Sequence, residues 1–369
     1  MRKLGISIYP EKSDKETILS YIDKAAARGF SRIFSCLLSV EKSKEEIKQD
    51  FKEINLYAKE KGFEIIVDVA PRVFSQLGIS YQDLSFFKEI GADGLRLDVG
   101  FTGSEESLMT FNPYDLKIEI NMSNDVSTID TIMDYQPNRY NLYGCHNFYP
   151  HAYSGLEIKF FKKCTERFKK HGLHTAAFVT SQNENTFGSW PVTEGLPTLE
   201  MHRNLPIDVQ VQHFIAMDCI DDIIISNCYP TDEELDSVSN LDLSLVTFHV
   251  KLEKNVPETE QKILFEELHF NRGDKNENMI RSTQSRVKYK GHDFELFHPK
   301  EMIQKGDIVI ESSKYGHYAG ELQIALHDMK NTGMSNVVGH IRENEIFLLD
   351  YIKPWQKFRF AKDEVCDIM

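Results

Sequence analysis

Between about residues 3 and 228 the chain alternates, eight times over, between short runs rich in β-branched and aliphatic residues and longer segments of helical periodicity. The runs fall at 4–9, 32–38, 64–70, 94–99, 116–122, 139–149, 174–181 and 222–228. Amphipathic helices are expected at 14–28, 43–61 and 154–170, and Gly29, Gly62 and Gly172 stand where a helix C-cap belongs. Strands separated by helices pair in parallel, because each crossover returns the chain to the same edge of the sheet. Eight such units in about 230 residues match a closed (β/α)8 barrel, whereas a doubly wound open sheet seldom needs so many. The expected fold class is therefore α/β, with a TIM barrel over residues 1–240.

After about residue 241 the rhythm changes. Strands are expected at 244–252, 261–272, 278–288, 306–311, 320–327 and 336–351 without long helices between them, which predicts a separate β domain over 241–360. A total of 369 residues is consistent with two cores. No low-complexity linker separates the halves.

Composition narrows the function classes. With 43 basic and 57 acidic side chains, a formal net charge of −14 opposes non-specific attraction to nucleic acid and to anionic membrane surfaces. No apolar stretch is long enough to span a bilayer, and the apolar run after Met1-Arg2-Lys3 is too short for a secretory signal, so a cytoplasmic location is expected. The six cysteines, Cys36, Cys145, Cys164, Cys219, Cys228 and Cys366, form no C-x-x-C pair and fit reduced thiols. There is no P-loop, no dinucleotide fingerprint and no G-x-S-x-G elbow. No cofactor is expected and no metal ligand is assigned.

In a barrel of this class the active site lies at the C-terminal ends of the strands, so the chemistry rests on the polar side chains those ends turn inward. In Gly94-Leu95-Arg96-Leu97-Asp98-Val99 the alternation gives Leu95, Leu97 and Val99 to the helices and turns Arg96 and Asp98 inward. The same parity points Glu119, Asn121 and Asp68 inward, which makes three acids on neighbouring strands. Clustered buried acids raise one another's pKa and suit acid/base or nucleophilic work, and Asp98 with Glu119 on adjacent strands fits the carboxylate spacing of a retaining glycosidase. The segment Cys145-His146-Asn147-Phe148-Tyr149-Pro150-His151 offers an aromatic, hydrogen-bonding wall suited to a sugar. The long loop 181–203 carries Trp190, a fourth acid in Glu200, and Arg203. In the second domain Arg272, Arg281, Ser285, Arg286 and Lys314 concentrate positive charge and hydroxyl donors, a set able to clamp a phosphate or carboxylate.

Six segments together resemble a known family: Gly5-Ile6-Ser7-Ile8-Tyr9-Pro10, Gly94-Leu95-Arg96-Leu97-Asp98, His146-Asn147-Phe148-Tyr149-Pro150, Leu196-Pro197-Thr198-Leu199-Glu200-Met201-His202-Arg203, Arg281-Ser282-Thr283 and Gly320-Glu321-Leu322-Gln323-Ile324. The chain is similar, from residue 4 to about residue 354, to the 6-phospho-N-acetylmuramidases, glycoside hydrolases formerly catalogued as bacterial outer-surface proteins of unknown function. The resemblance implies a TIM barrel joined to a cyclophilin-like β-barrel. It also implies hydrolysis of 6-phospho-N-acetylmuramyl-N-acetylglucosamine during cytoplasmic recycling of peptidoglycan. The partner expected is thus a phosphorylated amino-sugar disaccharide, not a nucleic acid or a membrane. Asp98 and Glu119 are assigned as catalytic carboxylates, with Asp68 tuning them; Glu119 is expected to protonate the leaving oxygen. Substrate contacts are assigned to Tyr9, Arg96, Asn121, His146, Asn147, Tyr149, Glu200, Arg203, Arg281, Ser285 and Arg286. Two other readings compete: a metal-assisted sugar-phosphate isomerase or hydrolase using Asp68, Glu119 and His146, and a non-catalytic cell-surface binding protein.

Overall fold

The computed structural model describes residues 1–37, 44–69 and 71–363, with only the main chain of Pro71 and Arg72. Leu38, Ser43, Ala70 and Cys366, all assigned above, lie outside the described residues. The chain divides into two compact units, one of residues 1–214 and 219–240, the other of 215–218 and 241 onward. Among the described residues no helix is long and apolar enough to cross a membrane.

The first unit is a closed parallel barrel of eight strands in chain order: β1 (Lys3–Ile8), β2 (Arg32–Leu37), β3 (Glu64–Val69), β4 (Gly94–Leu97), β5 (Lys117–Asn121), β6 (Leu142–Cys145), β7 (His174–Val179) and β8 (Asp222–Ile225). Helix signals in the sequence act as expected. Asp14 caps the helix Lys15–Ala26 by accepting from the Thr17 amide at 2.9 Å, and Gly29 and Gly62 end their helices at φ 79° and 92°, where a Cβ would be strained. The sixth strand is shorter than its apolar run, because Arg139–Asn141 coils into a 3₁₀ turn and the chain leaves the sheet after Cys145.

Register sets the depth of every inward side chain. Paired residues run Cys36, Asp68, Arg96, Glu119, Tyr143, His174 from β2 to β7. Followed through β8 and β1, this row returns to β2 eight residues lower, the shear of a TIM barrel. With strands about 4.8 Å apart and tilted by about 36°, a row perpendicular to the strands sinks roughly 3 Å per strand. Glu119 therefore sits roughly 6 Å deeper than Asp68 although both point inward.

The lower layer is held by charge. Arg32 is fully buried and donates Nη2 to Glu119 and Nη1 to Asp222, both equally buried, and His174 Nε2 lies 2.9 Å from Asp222 Oδ1. Burial pushes Asp222 up, but Arg32 and His174 outweigh it and hold the carboxyl down at about 2. Above this layer Phe34, Phe148 and Phe178 meet edge to face with centroids 4.9–6.0 Å apart.

The second unit is a nearly closed, barrel-like sheet. Its strands are β9 (Val246–Leu252), β10 (His269–Phe270), β11 (Met279–Ser282), β12 (Met302–Ile303), β13 (Asp307–Glu311), β14 (Leu322–Ala325), β15 (Met329–Lys330), β16 (Ser335–Ile341) and β17 (Lys357–Lys362). Seven of them order as β10-β17-β9-β16-β13-β14-β11, and the Arg272 amide reaches Arg281 O at 3.0 Å to draw the two edges together. Three expected strands are partly helical. Residues 261–272 begin inside the helix Glu258–Glu266, which starts after Pro257 with Glu258 and Glu260 in its first turn. The runs 278–288 and 336–351 stop at Ser282 and Ile341 and continue as the helical turns Gln284–Lys288 and Glu343–Tyr351.

Replacing Arg32 by Met leaves two buried carboxylates without their cation and should lower unfolding stability by about 3–5 kcal/mol in urea titration. The triple variant R32M/E119Q/D222N should recover part of that loss. Equal stability of R32M and wild type would show that the lower layer does not depend on the ion triad.

Candidate active site at the barrel mouth

The upper ends of β2, β3, β4 and β7, with the loops after β6 and β7, enclose a cavity of about 130 Å³. Asp68, Arg96, Asp98 and Asn147 supply its polar wall, and Phe34, Phe148, Phe178 and Trp190 its apolar one, with Cys36 and Ser189 between. Trp190 is 54% exposed, a flat ring at the rim able to stack on a sugar face.

Arg96 organises the polar wall. Its Nη1 lies 2.6 Å from Asp68 Oδ1 and 3.5 Å from Asp98 Oδ1, while Nη2 donates to Asn147 Oδ1. Two oxygens on one nitrogen cannot be farther apart than the sum of those distances, about 6 Å. That upper limit falls short of the spacing of an inverting glycosidase and is compatible with that of a retaining one. Asp98 lies just past the end of β4 and is 48% exposed, and Val99 beyond it is exposed instead of packed on a helix. Asn121 Nδ2 steadies Asp98 through its main-chain oxygen at 3.2 Å and Oδ1 at 3.4 Å, without lining the cavity. Asp68 is mostly enclosed. Burial pushes its pKa up against the pull of Arg96, and the Asp98 and Glu119 charges add to the rise. Cys36 donates its thiol to Asp68 Oδ2 at 3.7 Å, and burial pushes that thiol up as well. The Ser189 hydroxyl is buried at the cavity wall with no hydrogen-bond partner among the described residues.

Several residues assigned from sequence are elsewhere. Glu119 is not at the mouth; it is sealed in the lower layer against Arg32, which contradicts its assignment as the proton donor. Tyr9 is buried and donates its hydroxyl to Ser226 O, so it cannot offer that group to a substrate. His146 is fully buried, bonded to Ser123 Oγ at 3.1 Å and Thr165 Oγ1 at 2.9 Å, and stacked on Phe161. Burial, aided by the Arg96 charge, pushes it down to about 3, so it is a neutral packing group and not a substrate contact. Tyr149 is half-buried and does not line the cavity.

Glu200 and Arg203 form a loop clamp instead of a ligand pair. Arg203 Nε and Nη2 bond Glu200 at 2.7 and 2.6 Å, and Nη1 donates to the carbonyls of Tyr149, Glu194 and Gly195. Glu200 also accepts from the amides of Tyr153 and Gly155. These bonds, Arg203 first, hold its carboxyl down at about 2. In the second unit Ser285 is buried with its hydroxyl on Gly320 O at 2.6 Å, so it is not free to meet a substrate, and Arg281 and Arg286 both pair with Glu321. Phe34, Cys36, Phe178 and Ser189 were not singled out from sequence; the inward parity of β2 and β7 carried the signal for the first three.

A (β/α)8 barrel whose mouth holds two carboxylates on one arginine beside an aromatic wall has the architecture of a carbohydrate-cleaving enzyme. The chain belongs to the 6-phospho-N-acetylmuramidase family, a family of glycosidases: the family's N-terminal domain matches residues 4–240 and its C-terminal domain residues 246–361. Among solved structures, the crystal structure of an uncharacterized B. cereus protein is 48% identical with a TM-score of 0.90, over 98% of this chain and 99% of that one. A conserved protein of unknown function from Enterococcus faecalis shares the fold at 24% identity and a TM-score of 0.70, over 98% and 97% of the two chains. No curated protein matches the sequence.

The Glu200 clamp makes a pH prediction. Its folded-state pKa of about 2 lies below the ordinary 4.5, so its stabilisation is complete above about pH 4.5 and is lost as pH falls toward 2. Wild type should therefore lose more stability than Glu200→Gln between pH 5 and pH 2.5 in thermal melts. Parallel losses would show that the clamp does not hold the loop.

Proposed function

We propose that the chain hydrolyses 6-phospho-N-acetylmuramyl-N-acetylglucosamine to N-acetylmuramic acid 6-phosphate and N-acetylglucosamine, within the cytoplasmic recycling of cell-wall peptidoglycan. Family membership supports the reaction class. The observation that carries the mechanism is the shared anchoring of Asp68 and Asp98 on Arg96 in one small cavity.

Asp68 is the proton donor. Burial raises its affinity for a proton, and it stays within the cavity where a glycosidic oxygen would lie. Asp98 acts on the anomeric carbon, either directly as nucleophile or by orienting the substrate's own acetamido oxygen for that attack. Both routes go through two displacements. Arg96 keeps the carboxylates in register, and Asn147 fixes the second half of its guanidinium fork. Water admitted after the first sugar leaves is deprotonated by Asp68, which completes hydrolysis with configuration retained.

The metal-assisted reading is not favoured by the positions of its donors. Glu119 is committed to Arg32, and His146 is committed through both ring nitrogens to Ser123 and Thr165, so neither converges with Asp68.

Purified protein should release N-acetylglucosamine from the phosphorylated disaccharide. Asp68→Asn and Asp98→Asn should each lower kcat by about 10²–10⁴-fold. Glu119→Gln should lower the melting temperature yet keep kcat per folded molecule within a few-fold of wild type. Loss of turnover in a folded Glu119→Gln protein, with Asp68→Asn active, would return the acid role to Glu119.

A further inference from the structure

Arg286 is four-fifths buried, yet among the described residues its guanidinium makes no hydrogen bond of good geometry. Among the described residues its ionic partner is Glu321 Oε2, 3.0 Å from Nη1. Arg281 meets the other oxygen of the same carboxylate, with Nε and Nη2 each 2.7 Å from Oε1. The ring of Tyr318, 43% exposed, lies 5.8 Å from the Arg281 guanidinium carbon and 5.3 Å from that of Arg286.

The charge balance is uneven. Two guanidinium groups share one fully buried carboxylate, which leaves a positive charge in a chain of net charge −14. One arginine would balance the charge of Glu321; the second is held mostly out of water with its buried Nη1 lacking a hydrogen bond of good geometry, which costs desolvation without a compensating bond. Of the acids that feel the Arg281 charge, Glu311 is occupied by Ser335 Oγ at 2.6 Å and pushed up to about 7 by burial, and Asp274 is paired with Arg272 at 2.7 Å, so they neutralise the site only in part. Holding the Arg281 fork and the Arg286 Nη1 against one buried carboxylate also limits the side-chain freedom that binding would otherwise have to freeze.

We infer that Arg281 and Arg286, positioned by Glu321 and flanked by Tyr318, form an oxyanion site within the C-terminal unit, taking a phosphate monoester or a carboxylate through their unbonded N–H groups. The identity of the natural ligand as a phosphorylated, acid-bearing sugar rests on the function proposed above; the site itself does not. Glu321 is a positioning residue, since it would touch the arginines and not the anion.

The full chain is titrated by calorimetry with inorganic phosphate and, separately, with acetate, as wild type, Arg286→Ala, Arg286→Lys and Glu321→Gln. Tighter binding of phosphate than of acetate assigns the phosphate group, and the reverse assigns the carboxylate. Arg286→Ala should weaken the preferred anion at least tenfold. Arg286→Lys should recover part of the binding, and it reads the same site if the alanine variant fails to fold. Glu321→Gln, which keeps the shape but not the charge, should weaken binding less than Arg286→Ala. Failure of wild type to bind either anion, or equal binding by folded Arg286→Ala or Arg286→Lys, overturns the inference. Binding lost in Arg286→Ala with no glycosidase activity in wild type would leave the site standing and remove the proposed function.

Discussion

Closure of eight tilted strands with a stagger of eight residues is the constraint from which the rest of the barrel follows. It converts sequence neighbours in the sheet into residues at different depths, so that one hydrogen-bonded row contributes Cys36 and Asp68 to the mouth and Glu119 to the interior. The interior position would be untenable for an acid alone. Arg32, entering the same level from β2, pairs with Glu119 and Asp222 at once while His174 meets Asp222 from the other side, and the lower barrel becomes a packed polar plug under a layer of phenylalanines.

The mouth uses the same chemistry with different solvent access. Arg96 repeats on β4 the role Arg32 has on β2, a cation between two acids, but its acids reach the cavity and one is nearly half exposed. An ion cluster shut off from water stabilises the fold; one open to a ligand can exchange its partners during a reaction. Asp68 lies at the boundary of the two environments, and its raised pKa follows from that position. The loop clamp of Glu200 and Arg203 ties the segment after β6 to the one after β7, whose Phe148 and Trp190 line the aromatic wall.

Much of this was legible in the sequence because the two periods that matter are local. Runs of β-branched and aliphatic residues between helical segments marked all eight barrel strands, and alternation of two gave the inward parity of Asp68, Arg96, Asp98 and Glu119. Depth was not legible, since tilt and stagger arise only on closure, and Glu119 was placed at the mouth for that reason. His146 and Tyr9 failed similarly: a polar type at the end of a strand does not show whether a neighbour such as Thr165 or Ser226 consumes its hydrogen bonds. In the second unit Ile263, Leu264 and Phe265 read as strand while Pro257 with the acids behind it carried the stronger helix signal. The alternating Lys357-Phe358-Arg359-Phe360 was the clear strand pattern left unread; Phe358 and Phe360 are buried and the two basic residues exposed.

The account stands on two mouth carboxylates no more than about 6 Å apart, and product stereochemistry tests that most directly. The anomer of the phosphorylated sugar first released by wild-type protein can be followed by proton NMR before mutarotation. Retention of the configuration of the cleaved bond is the predicted result, whether Asp98 or the substrate's acetamido oxygen makes the first bond. Clean inversion would require a water between widely separated carboxylates and would contradict the pairing of Asp68 with Asp98.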